Sequence, residues 1–103
     1  MSIVRINAIE VPEGRGDALE ERFRSRAGEV ERMPGFEGFT LLRPTDGSNQ
    51  YFVVTRWESE DAFDAWVASD EFRKGHARTT ADGPVATHSR LLSFDVVLEA
   101  GAR

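Results

Sequence analysis

An α+β fold, an antiparallel sheet with helices on one face, is predicted by three observations. Four segments alternate apolar and polar residues with the period of a strand. Others repeat apolar residues at helical spacing, and glycine, proline and aspartate punctuate the joins. Read in order these give strand, helix, strand, strand, helices, strand, a split βαβ arrangement.

Residues 2–11 (SIVRINAIEV) read as the first strand, with Val4, Ile6 and Ala8 on one face and Ile3, Arg5, Asn7 and Ile9 on the other. Pro12 and Gly14-Arg15-Gly16 end it. Asp17 is the expected N-cap, and Glu20 completes an Asp-type capping box. Leu19, Phe23, Ala27 and Val30 then recur at helical spacing, which predicts an amphipathic helix over 17–32, stopped by Pro34-Gly35. Residues 36–43 (FEGFTLLR) and 50–57 (QYFVVTRW) are two strands joined by a turn containing Pro44 and Asp46-Gly47. Ser59 caps the next helix, Glu60 and Asp61 suit its positive end, and Phe63, Trp66 and Val67 form its apolar stripe. Ser69-Asp70 gives a second start signal for a helix running to about Ala81, closed by Gly83-Pro84. Residues 89–99 (SRLLSFDVVLE) form a long last strand.

This order belongs to a ferredoxin-like sandwich. Leu92, Phe94, Val96 and Leu98 fill one face of the last strand, yet Leu91 and Val97 make the other face partly apolar, and the first strand is similar. Helices cover one side of such a sheet, and a bare apolar face is unfavourable in water. A homodimer packed sheet to sheet is the expected solution.

The 103 residues suit one domain, 1–103, with a small core. Eighteen acidic against 13 basic residues, with no Lys/Arg cluster, argue against a nucleic-acid partner. The absence of cysteine removes disulfides, Fe–S clusters and thiolate chemistry. No charged segment followed by an apolar stretch opens the chain, and no ~18-residue apolar run occurs. A cytoplasmic protein with no membrane partner is expected.

Few residues suggest chemistry. There is no carboxylate dyad, Ser-His-Asp order, phosphate loop or zinc spacing. Of two histidines, His88 precedes the last strand and reads as solvent-facing. His76 lies four residues after Phe72, on the same helical face, and follows Gly75, an expensive helix residue unless something approaches the backbone closely. It is either a ligand or an ordinary surface or core histidine. Trp66 and His76 would point roughly 80° apart on one unbroken helix, but a break at Ser69-Asp70 lets both line one pocket; core packing is the alternative for Trp66. Asn7, polar within an apolar strand, either pairs with a loop backbone or offers its amide to a ligand.

The segments INAIEVP (6–12), PGFEGFTLLRP (34–44), YFVVTRWESEDAFDAW (51–66) and LLSFDVVL (91–98) resemble the antibiotic biosynthesis monooxygenase superfamily. More narrowly they resemble its bacterial haem-degrading monooxygenases of the staphylococcal and mycobacterial iron-acquisition type, the mycobacterial above all. The resemblance implies a dimeric α+β barrel and a haem that is both cofactor and substrate. The ring would be opened at a meso carbon with dioxygen and an external electron donor, releasing iron. That subgroup uses an Asn on the first strand, a Trp on the helix after the third and a His on the following helix, which fall here at Asn7, Trp66 and His76. Val67–Gly75 departs from the mycobacterial pattern and is one residue longer, a spacing that suits the staphylococcal type.

The implied roles are His76 as iron ligand, Asn7 as amide donor to activated dioxygen on the opposite side, and Trp66 as the group that presses the porphyrin out of plane. Arg22 and Arg26, one turn apart on the first helix, are candidates for the propionates, or else a solvated arginine face; Arg26 has a counterpart in the mycobacterial members. Phe23, Phe39, Phe63 and Phe72 are candidates for apolar walls, with ordinary core the expectation for at least two. Two other readings stand beside this one: a cofactor-independent monooxygenase of a polyphenolic or quinone-type metabolite, and a non-catalytic haem-binding protein.

Overall fold

The computed structural model of the chain describes residues 2–70, 72 and 88–101, with backbone alone at 26–29 and 88. Its elements are β1 (Ile3–Glu10), α1 (Gly16–Val30), β2 (Phe36–Leu42), β3 (Gln50–Trp57), α2 (Glu60–Val67) and β4 (His88–Asp95). The strands form one sheet in the order β2-β3-β1-β4, with every neighbouring pair antiparallel. This is the ferredoxin-like α+β arrangement that the alternation predicts.

Register decides which side chains meet. Ile3, Arg5, Asn7 and Ile9 of β1 lie opposite Trp57, Thr55, Val53 and Tyr51 of β3, and opposite Asp95, Ser93, Leu91 and Ser89 of β4. Directly opposed residues share a face, and this is the face the helices cover. One core cluster joins Ile9, Val11, Leu19, Tyr51 and Val53, with Phe23 and Phe39 against it. The other joins Ile3, Val30 and Trp57 with Phe36, Phe63 and Trp66 packed around them. Trp57 is wholly buried. Its ring meets Phe36 and Phe63 edge-on at 5.3 and 5.9 Å, and its indole N–H donates to Thr55 Oγ1 at 3.0 Å. A bulge between Phe36 and Gly38 breaks the alternation of β2, so that Phe36 and Phe39 both reach the helix side.

Two expectations need correction. Asp17 does not cap α1: Arg15 holds the N-cap position without a side-chain bond, and Asp17 sits inside the first turn. The capping box fails because the Glu20 carboxylate, which should turn back to the helix start, is held by Arg43 and Tyr51. β4 ends at Asp95 rather than 99. Its partner runs out: Ile3 of β1 opposes Asp95, and after one more bond from Val96 N to Ser2 O there is no strand left to pair with.

The Ser59 cap is as expected, its hydroxyl accepting from Ala62 N at 3.2 Å. Just before β2, Gly35 takes φ +82°, and its carbonyl accepts from Glu58 N at 2.8 Å. A Cβ there would stand 2.5 Å from Ala62 Cβ, so glycine lets α2 begin close against this turn.

The opposite face of the sheet has no helix over it among the described residues. Val4, Ile6, Leu42, Phe52, Val54, Leu92 and Phe94 lie on it by register, and Leu42 and Phe94 stand about half exposed, at 47% and 49%.

Candidate ligand cleft

Two clusters of apolar packing lie under the helices, at either end of β1, and Asn7 stands in the row between them. It is half-buried. Its neighbour across β4, Leu91, remains 55% exposed although it points to the helix side of the sheet. The described helices therefore leave the β1–β4 side of the sheet uncovered beside Asn7.

An aromatic wall stands on α2. Phe63 packs on Trp57, and Trp66 meets Phe72 edge-on at 5.6 Å. The link between Trp66 and Phe72 is made by Ser69, whose hydroxyl donates to Trp66 O at 2.6 Å and accepts from Phe72 N at 3.2 Å. Ser69 thus breaks α2 and caps the next turn, as its sequence position suggests. Trp66 is half-buried, packed against the Trp57 cluster on one side and Phe72 on another. Arg5, to which the sequence assigns no role, lies on the same face one row from Asn7, with its guanidinium 5.3 Å from the Phe63 ring centre. The clue was present: Arg5 shares the alternation of Asn7 in a strand otherwise apolar on that face.

On α1, Arg22 is half-buried, and Phe23 pairs with Phe39 at 6.0 Å within the core cluster. Arg26 lies one turn after Arg22, its side chain outside the description. His76 lies outside the described residues altogether. Among the described residues no three histidine or carboxylate side chains gather as a metal site.

A second polar cluster sits at the Ile9–Tyr51 end. Tyr51 donates to Glu20 Oε2 at 2.6 Å, and Arg43 forks onto both carboxylate oxygens, its Nε at 2.9 Å from Oε2. These groups border a cavity of about 260 Å³ lined also by Val11, Gly14 and Asn49. The bond from Arg43, and then that from Tyr51, lowers the Glu20 pKa from 4.5 to about 2. The same bond to Glu20 raises the Tyr51 hydroxyl. A carboxylate whose folded pKa lies below its unfolded value contributes stability at neutral pH that is lost as pH falls through the folded value. Glu20→Gln is therefore expected to lower stability at pH 7 and to flatten its decline between about pH 4.5 and 2. Urea midpoints across that range, for both proteins, check it.

Residues 2–78 match the profile of the antibiotic biosynthesis monooxygenase family. A mycobilin-producing haem oxygenase of Mycobacterium tuberculosis is 55% identical over 101 residues, covering 98% of this chain and 94% of that protein. A crystal structure of the M. tuberculosis haem degrader MhuD with two haems in its active site superposes with a TM-score of 0.81 at 51% identity, covering 96% and 99% of the two chains. SnoaB of Streptomyces nogalater, a cofactor-independent oxygenase, superposes with a TM-score of 0.76 at 26% identity, covering 95% of each chain.

Proposed function

The chain belongs to the antibiotic biosynthesis monooxygenase family, and we propose that within it this protein is a haem-degrading monooxygenase that opens the porphyrin with dioxygen and an external electron donor and frees the iron. The observation that carries this is near-full-length identity of 55% to a haem oxygenase. The chemistry of the cleft agrees. A porphyrin has apolar faces and a carboxylate-bearing edge; the cleft offers an aromatic wall of Phe63, Trp66 and Phe72 and a polar floor at Asn7, with Arg22 and Arg26 on the neighbouring helix.

In this reading His76 would hold the iron through a neutral imidazole. Haem, when bound, would supply the site of dioxygen activation and, in its own ring, the carbon attacked. Asn7 would offer an amide N–H to the dioxygen. Trp66, braced by Phe72, would press on the macrocycle, and Phe63 and Phe23 would extend the apolar lining. Arg22 and Arg26 would take the propionates. The enzyme works in the cytoplasm, where a chain without cysteine loses nothing to a reducing environment; no described helix is long and apolar enough to cross a membrane.

Hemin titration tests the reading. A sharp, one-endpoint Soret shift is expected, followed by bleaching when ascorbate and air are added. No shift would favour a cofactor-independent oxygenase, and a shift without bleaching a haem carrier.

The second part of the proposal is a homodimer through the open sheet face, closing a dimeric α+β barrel. Apolar residues on four strands support it, and register selects the residue to test. Leu92 opposes Ile6 on the open face, whereas Leu91 opposes Asn7 on the helix side. Leu92→Asp should give a monomer at micromolar concentration by sedimentation, while Leu91→Asp keeps the assembly of the parent.

A further inference from the structure

Arg5 is a buried cation on the helix side of the sheet, between Thr55 and Ser93 by register, and the described residues do little to compensate it. The residue is 9% exposed. Burying a charge is costly unless it is paired and hydrogen-bonded. Yet among the described residues Arg5 Nη1 reaches only the adjacent Val4 carbonyl, at 3.4 Å, and Nη2 stands 3.8 Å from Glu60 Oε1, both at or past the long end of hydrogen bonding. Glu60 is itself 72% exposed at its side chain, so water weakens its pull. The Phe63 ring, 5.3 Å from the guanidinium carbon, adds a cation–π contact but accepts no proton. A guanidinium with five donors is thus held on the cleft floor, one row from Asn7, with its donors only weakly engaged. A packing role alone would be served as well by an apolar side chain of similar volume.

We propose that Arg5 is a ligand-binding residue of this cleft: its guanidinium turns from Glu60 to pair with a negatively charged group of the bound haem, either a porphyrin carboxylate or an anion on the iron. Glu60 is then a competitor of that group for Arg5. The proposal rests on the haem reading above.

Two probes separate the two sources. Metal-free protoporphyrin IX carries carboxylates only; cyanide added to the hemin complex reports an anion on the metal. Arg5→Met should weaken one of these by about 10- to 100-fold, the range for losing a charge-assisted bond. Arg5→Lys, which keeps the charge, should recover much of the loss. Glu60→Gln should tighten the same probe, because it frees the guanidinium. A structural clip gives the opposite sign: Arg5→Met and Glu60→Gln would both lower the thermal midpoint and leave both affinities unchanged, which overturns the proposal. A parent protein that binds hemin beside an Arg5→Met variant that binds both probes equally well overturns the role of Arg5 alone. A parent that takes up no hemin overturns the haem reading as well.

Discussion

His76→Ala is expected to abolish the stoichiometric haem complex and to leave the far-ultraviolet circular dichroism of the parent intact. The expectation comes from counting possible iron ligands. The chain has two histidines, no cysteine and one tyrosine. That tyrosine, Tyr51, is buried in the α1 core with its hydroxyl given to Glu20, and its pKa is raised, so a tyrosinate is not available to replace an imidazole. His88 begins β4, and its backbone opposes Glu10, at the end of the row series away from Arg5. His88→Ala is therefore the control, binding haem as the parent does. The measurement is the Soret titration. Tight five-coordinate haem in the His76 variant would remove this residue from the mechanism.

Asn7→Ala and Trp66→Ala should bind haem and turn it over slowly. Neither side chain ligates iron strongly, so in the proposed site affinity would rest on His76 and on apolar burial. On the proposed role Asn7→Ala would delete one hydrogen bond to the reacting oxygen; a bond of that charge-assisted kind is worth ~1.5–3 kcal/mol, or roughly 10–100-fold in rate. Trp66→Ala removes the contact with Phe72 and, in the proposed site, the push on the face of the ring. Trp66→Phe keeps an aromatic surface and should retain more activity. Single-turnover bleaching of the preformed complex separates these effects from binding. Parent rates in both alanine variants would make a quinone-type oxygenase the better reading.

The frame of this molecule was legible because period-two alternation and punctuation are local signals. β3 falls where they place it, and the Ser59 cap and the break at Ser69 follow from side chains that satisfy nearby backbone groups. The failures are non-local. Nothing near Asp17 announces that Glu20 will be claimed by Arg43 and Tyr51, 23 and 31 residues away. The end of β4 is set by where β1 begins, not by β4's own apolar run. The site divides the same way. Asn7 stands out as a polar residue in an apolar strand, and the alternation of β1 puts it on the same face as Ile3 and Ile9. Arg5 escaped notice because an arginine in a strand reads as exposed until register and burial place it under α2.

The apolar face of the sheet has a thermodynamic consequence. Each helix-side cluster is small, and a chain of about 100 residues gains only modest stability from one core. If the open face carries Phe94, Leu92 and Ile6 into contact with a second copy, folding and association draw on the same apolar area. Mass action then governs stability: the midpoint of heat unfolding rises with protein concentration, and dilution alone moves the population toward unfolded chains. Haem, binding the folded form only, shifts the same equilibrium, so the supply of substrate would set how much of the enzyme stays folded in a cell that makes little of it.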